Sequence, residues 1–269
     1  MSFLSKSKPI MLSAVLTAAA SVPAAALDMT EKASIKIGDG EGYAEMIRYH
    51  APSQSLFVTA SETGTLERIS MANPSALGLA TPFDLDGGNV TAVAVHGDLV
   101  AASIKADAAD APGEVKLYDT NGTLLASYPT GALPDNVAFS PDGRYMLTAN
   151  EGEPSDDYSV DPEGSFTLID LANGPASAVV TQISLDGFSA PAGSRIVKPG
   201  SSFAADAEPE YVAFAPDGKL AYVTLQENNA VAVIDIASAS VAAVSGLGTK
   251  NVSRTSHDMS NKDSGINMK

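Results

Sequence analysis

Two stretches of this chain can be laid over one another without a gap. LPDNVAFSPDGRYMLTAN, from Leu133, and EPEYVAFAPDGKLAYVTL, from Glu208, set Pro134 on Pro209, Val137 on Val212 and Pro141-Asp142-Gly143 on Pro216-Asp217-Gly218. In the first copy Val137 and Phe139, then Tyr145 and Leu147, alternate with other residues on either side of the Pro-Asp-Gly. Alternation marks half-buried strands, Pro presets φ for a turn, and Gly takes the position that needs φ > 0. Each copy therefore reads as a β-hairpin. In the first, a third strand, Ser165–Asp170, follows only after an acidic interruption.

Two looser copies begin at Ala44 and Val90, so the unit occurs four times. A repeat of about 40 or more residues made of short strands is the signature of a β-propeller, one four-stranded antiparallel sheet to each repeat. The fold class is thus all-β, with about four blades over residues 27–248 and an incomplete ring. Strands are predicted at Glu45–Tyr49, Ser55–Ala60, Thr65–Ser70 and Leu79–Phe83 in the first repeat. In the second they are Thr91–Val95, Leu99–Ser103, Glu114–Tyr118 and Thr123–Tyr128. Ser177–Ser184 and Ser240–Val244 are the outer strands of the last two. A short strand is also predicted at Ala33–Ile37. The Gly-, Pro-, Ser- and Ala-rich segment from Asp186 to Glu208 reads as a connection.

Aligning the copies sets Glu45, Asp135 and Glu210 at one position, the residue leading into the first strand of each blade; the second repeat has Thr91 there. First strands line the central channel, so these acids ring one mouth of it. For any one of them, a turn acid bonded to nearby backbone N–H groups is the alternative. Glu151, Glu153, Asp156, Asp157, Asp161 and Glu163 fall between positions 151 and 163 with no Lys or Arg among them. Their loop is roughly ten residues longer than its counterpart in the fourth repeat, and insertions on rigid scaffolds are where function concentrates. Asp206, Glu208 and Glu210 alternate around Pro209 on what reads as extended chain, and are expected to project to one face.

Topology connects these groups. In an antiparallel blade, the loop between the second and third strands and the entry to the next blade lie at one end, and the Pro-Asp-Gly hairpins at the other. The acids are therefore expected to converge on one surface. Crowded carboxylates need solvent or a shared cation, and hard oxygen donors point to Ca²⁺ rather than zinc or copper. The expected metal ligands are Glu151, Glu153, Asp156, Asp157, Asp161, Asp206, Glu208, Glu210, Asp135 and Glu45. A solvated acidic loop is the other reading.

Charge narrows the partners. Lys6 and Lys8 precede an apolar run from Ile10 to Val22 and the small residues Ala24-Ala25-Ala26, which together read as a signal peptide over residues 1–26. That run is too short and Ala-rich to span a bilayer well, and no other stretch is long and apolar enough. The mature chain is expected to be exported, to a periplasm, a cell surface or the medium, with no membrane span. Without the two signal lysines, the 16 basic residues become 14 against 32 acidic ones, a net charge of −18. Such a field repels phosphate backbones and disfavours nucleic acid as a partner. The absence of cysteine excludes disulfides and thiolate metal sites.

Catalytic signatures are missing: there is no G-x-S-x-G, no H-E-x-x-H and no Walker loop. His50 and His96 stand in hairpin turns at the end away from the acids and read as surface residues; His257 is remote from both.

LPDNVAFSPDGRYMLTANEGEPSDDYSVDPEGSFTLIDL and DAEPEYVAFAPDGKLAYVTLQENNAVAVIDI closely resemble the choice-of-anchor I family of bacterial surface proteins, over about residues 30–248. Ala221-Tyr222-Val223-Thr224 is similar to the wider YVTN-type propellers. Both family motifs are intact, ANEGEP at Ala149–Pro154 and D-x-EPEY at Asp206–Tyr211. The resemblance implies an exported propeller, held at the surface by one of several C-terminal anchors, and some members are described as alkaline phosphatases. The function expected is a binding module with an acidic, calcium-binding face and an unidentified surface ligand or protein as partner. The alternative is a metal-dependent phosphoesterase with Arg195 or Lys198 holding phosphate. The pattern fades after Val244 into a polar tail, residues 249–269. The chain is therefore expected to be a truncated family member that leaves strand edges open and associates or orders only in part.

Overall fold

The alternation around each Pro-Asp-Gly becomes an antiparallel hairpin in a computed structural model, which describes residues 30–39, 43–86, 88–155, 157 and 159–251. The segment read as a signal peptide, Asp156, and the tail from 252 onward lie outside the described residues. Residues Ala33–Lys269 group as one unit and Met1–Lys32 as another, of which only 30–32 are described, without regular structure.

Among the described residues, sixteen strands form four separate sheets in chain order, each four-stranded and antiparallel. Blade one holds β1 (Ile47–His50), β2 (Ser55–Ala60), β3 (Thr65–Ser70) and β4 (Gly78–Leu79). Blade two holds β5 (Asn89–His96), β6 (Leu99–Lys105), β7 (Pro112–Asp119) and β8 (Leu124–Ala132). Blade three holds β9 (Pro134–Phe139), β10 (Tyr145–Asn150), β11 (Ser165–Asp170) and β12 (Val179–Ser184). A single helical turn, α1 (Phe203–Asp206), precedes blade four, which holds β13 (Pro209–Phe214), β14 (Leu220–Leu225), β15 (Ala230–Asp235) and β16 (Ser240–Gly246). In the two best copies the turn glycines take the left-handed conformation the sequence requires, φ 72° at Gly143 and 69° at Gly218.

Blades stack face to face through apolar clusters. Leu147, Ala149, Phe166 and Leu168 of blade three meet Val212, Val223, Leu225 and Ala232 of blade four. Close approach is needed where one blade hands over to the next. A Cβ on Gly113 would lie 2.4 Å from Pro134 Cδ, and one on Gly164 would lie 2.6 Å from Pro209 Cδ and 2.0 Å from the Ala207 carbonyl oxygen. Side chains tie neighbouring inner strands: Val93 N–H donates to Met46 Sδ (3.5 Å), Thr91 Oγ1 to the Pro134 carbonyl (2.5 Å), and Val212 N–H to Asn136 Oδ1 (3.2 Å).

Four expectations change. Ala33–Ile37 forms no strand. The outer strand of blade one shrinks to Gly78–Leu79 with a lone bridge from Phe83 to Leu66, because Pro82 has no N–H to give the ladder. The 186–208 connection contains α1, too short to show helical periodicity and capped by Ser202 Oγ accepting from Ala205 N–H at 3.1 Å. His50 is buried rather than at the surface, 5% exposed, with Nδ1 2.7 Å from Ser53 Oγ.

Candidate functional site

Chain geometry at the handover from blade two to blade three sets the site. Leu133 sits at φ 48°, a left-handed conformation doubly unfavourable for a side-chain-bearing residue that precedes proline. Its carbonyl accepts the Glu151 N–H at 2.8 Å, and the Ala132 carbonyl accepts Gly152 N–H at 3.3 Å. The start of the acidic loop is thereby pinned beside the entry to β9, where Asp135 stands. Gly152 must be glycine: φ is 67°, and a Cβ would come within 2.9 Å of the returning backbone at Pro162 and Glu163.

The result is a cavity of about 680 Å³ at one mouth of the channel, lined by Glu45, Asp135, Glu151 and Glu153 with Thr91 and Lys105. Glu45 accepts from Ser61 Oγ. Burial raises the Asp135 carboxyl; Lys105 opposes the rise, and Glu153 and Glu45 add to it. Burial lifts Glu151 to about 8, with Asp135, Glu153, Glu208 and Glu210 pushing the same way. Glu208 reaches about 7 through burial and then Glu227 and Glu153, and Glu210 rises through burial, Asp135 and Glu227. Acids from blades three and four thus feel one another across the mouth, with Glu45 of blade one adding to the field at Asp135.

Three expected ligands are employed elsewhere. Asp206 does not share a face with Glu208 and Glu210, because α1 turns it inward. It is 4% exposed, and its carboxylate accepts Val197 N–H (3.0 Å), Lys198 N–H (2.6 Å) and Asn228 Nδ2 (2.7 Å). Asp161 pairs with Lys198, tying the acidic insertion to the 186–208 connection. Asp157 is exposed and closes a local turn, accepting from Ser159 Oγ (2.6 Å), Ser159 N–H (3.0 Å) and Ser155 Oγ (2.9 Å); these bonds pull its carboxyl down to about 2. Glu163 is exposed. Asp156 lies outside the described residues. Among the described residues, no three carboxylate or imidazole groups are gathered closely enough to hold a metal ion as they stand.

Two residues that the sequence does not single out also bear on the site: Lys105 lines the cavity, and Glu227 helps to raise Glu208 and Glu210. Glu227 occupies the loop between the second and third strands of blade four, the position class of Glu151, and that correspondence was the available signal. Arg195 is committed to Glu227, Nη2 to Oε2 at 2.7 Å, with its Nε donating to the Glu227 carbonyl at 2.7 Å. It is therefore not poised as a phosphate holder.

No helix among the described residues is long and apolar enough to cross a membrane. The fold is similar to that of solved structures. One is Kuenenia stuttgartiensis hydrazine synthase, with TM-score 0.53 and 16% identity, covering 71% of this chain and 52% of that one. Another is the β-propeller domain of Myceliophteria thermophila Cps50 (Swd1), with TM-score 0.55 and 12% identity, covering 78% and 57%. At such identities the likeness concerns the β-propeller fold alone, and the chain spans little more than half the length of either. No curated relative matches. The choice-of-anchor I domain model matches residues 45–269, and the chain belongs to that family.

Proposed function

We propose that this β-propeller is an exported binding module whose acidic mouth takes calcium and, through it, a surface ligand or protein. The observation that supports this most is a cavity at the mouth lined by Glu45, Asp135, Glu151 and Glu153, where burial first, and then the neighbouring carboxylates of blades three and four, raise Glu151, Glu208, Glu210 and Asp135 together. A bound divalent cation would replace the protons these acids retain and relieve the repulsion. The donors are all oxygen, and a long loop adapts to the variable coordination of Ca²⁺ better than to the tight octahedron of Mg²⁺. Because the carboxylates are not gathered to bonding distance, binding would draw Glu151, Glu153 and Asp135 together. Export is supported by family membership and by the N-terminal sequence. The phosphoesterase alternative is weakened because both of its candidate anion holders are paired, Arg195 with Glu227 and Lys198 with Asp161.

Thermal unfolding of the full chain tests the reading. Calcium at a hundred times its dissociation constant adds about 2.7 kcal/mol, Mg²⁺ does much less, and Glu151→Gln reduces the shift. Superimposable melts in calcium and in chelator would remove the cation from the proposal. Hydrolysis of p-nitrophenyl phosphate that disappears with Glu151→Gln would replace binding with catalysis.

A further inference from the structure

The opposite end of the channel is built differently. A cavity of about 410 Å³ is lined by the inner strands of all four blades, from Arg48 of β1 through Val95 and His96 of β5 and Asn136 of β9 to Tyr211 and Phe214 of β13. In a chain with twice as many acids as bases, no Asp or Glu is among its lining residues.

Its side-chain polar groups are chiefly donors. Asn136 is 1% exposed; its Oδ1 must face Val212 N–H, which can only donate, so the other end of the amide is Nδ2. That Nδ2 is buried with no partner, a costly state for an amide unless an acceptor arrives. Arg48 spends one N–H on its neighbour Ile47's carbonyl (2.9 Å) and one on Tyr211 Oη (3.2 Å), and pairs with no carboxylate among the described residues. Tyr211, accepting from Arg48, keeps its own hydroxyl proton to donate. Ser140 is spent on its turn, donating to Asp142 Oδ1 and accepting from Tyr145 N–H. Val95, Phe139 and Phe214 supply apolar wall.

We propose that this end of the channel is a second binding site, for a small monocarboxylate with an apolar body. Arg48, Asn136 Nδ2 and the Tyr211 hydroxyl supply the donors, and the apolar wall takes the body. One guanidinium matches one negative charge and suits the planar carboxylate, whereas the strongly negative chain repels a polyanion. This site is independent of the acidic mouth, and neither proposal depends on the other.

Calorimetric titration of the full chain with phenylacetate, phenylacetamide and inorganic phosphate tests it. Phenylacetate is expected to bind saturably, at least about tenfold more tightly than the amide, and to lose about tenfold in Arg48→Gln. Arg144→Gln, at an exposed arginine that is paired with Asp170 and does not line the cavity, is expected to leave the affinity unchanged. The Asn136 side-chain amide resonances are expected to shift during the titration. Phosphate binding as tight as phenylacetate, equal losses in both arginine variants, shifts confined to other residues, or no saturable heat would each overturn the assignment.

Discussion

Blades three and four are copies of one repeat, yet among the described residues blade three is packed on both faces and blade four on one. The face of β10 and β11 that meets blade four carries Leu147 and Phe166, both fully buried. Their counterparts, Tyr222 and Val231, lie on a face that no other blade covers among the described residues; Tyr222 is 43% exposed. Strand pairing is the same in both, six consecutive pairs between the second and third strands from Tyr145↔Asp170 and from Leu220↔Asp235. The repeat therefore encodes the blade, and a neighbour decides which residues of it become core. The loops diverge as well: blade four turns in Gln226–Asn229, whereas blade three spends the segment 151–164 on carboxylates.

The largest test of that comparison is truncation at equivalent positions. Leu147→Ala is expected to cost about 2–5 kcal/mol as a cavity opens between blades, and Tyr222→Ala less than about 1 kcal/mol. Equal shifts in urea midpoint would mean that the exposed face is covered in solution.

Next comes pH. The folded state holds Glu151 at about 8 and Glu208 at about 7, against an ordinary 4.5, so it keeps protons that the unfolded chain has released. Stability is therefore expected to fall as pH rises from about 5 towards 8, by at most ~1.4 kcal/mol per unit for each group. Asp235 in blade four has the opposite sign: hydrogen bonds from Ser238 hold its carboxyl low, and that contribution fades only in acid. Urea midpoints across pH check the slope, and Glu151→Gln is expected to flatten it; a wild-type slope of zero would mean the mouth is solvated.

Replacing the blade-three loop with the short turn of blade four is a smaller perturbation. Loop closure depends weakly on length, so stability is expected to change by less than about 1 kcal/mol, while the calcium-dependent rise in melting temperature disappears. A retained rise would move the cation away from this loop.

The smallest effect concerns one ion pair. Arg144 donates to both oxygens of Asp170, at 3.0 and 2.8 Å, whereas the equivalent Lys219 and Asp235 form no pair among the described residues. Arg144→Ala is expected to cost about 0.2–1 kcal/mol and Lys219→Ala nothing measurable in the same denaturation assay.

The sequence by itself determined the repeat, the hairpins and the end of each blade at which the acids emerge. Period-two alternation and Pro-Asp-Gly turns are local, and antiparallel topology then dictates which loops share an end. Ser55–Ala60, Thr65–Ser70 and Ser165–Asp170 are strands over the residues the alternation marks. Tertiary structure alone decided what each acid does there. Glu151 and Asp206 look alike in the sequence, but the Leu133 carbonyl holds one beside an open cavity, while a one-turn helix delivers the other to two backbone N–H groups and Asn228. Whether a carboxylate is a free ligand or a structural acceptor depends on partners distant in the chain, and no local pattern records them. Asn136 follows the same logic: its amide is half satisfied only because Val212 of the next blade arrives 76 positions later, and that placement leaves Nδ2 without a partner at the channel's other end.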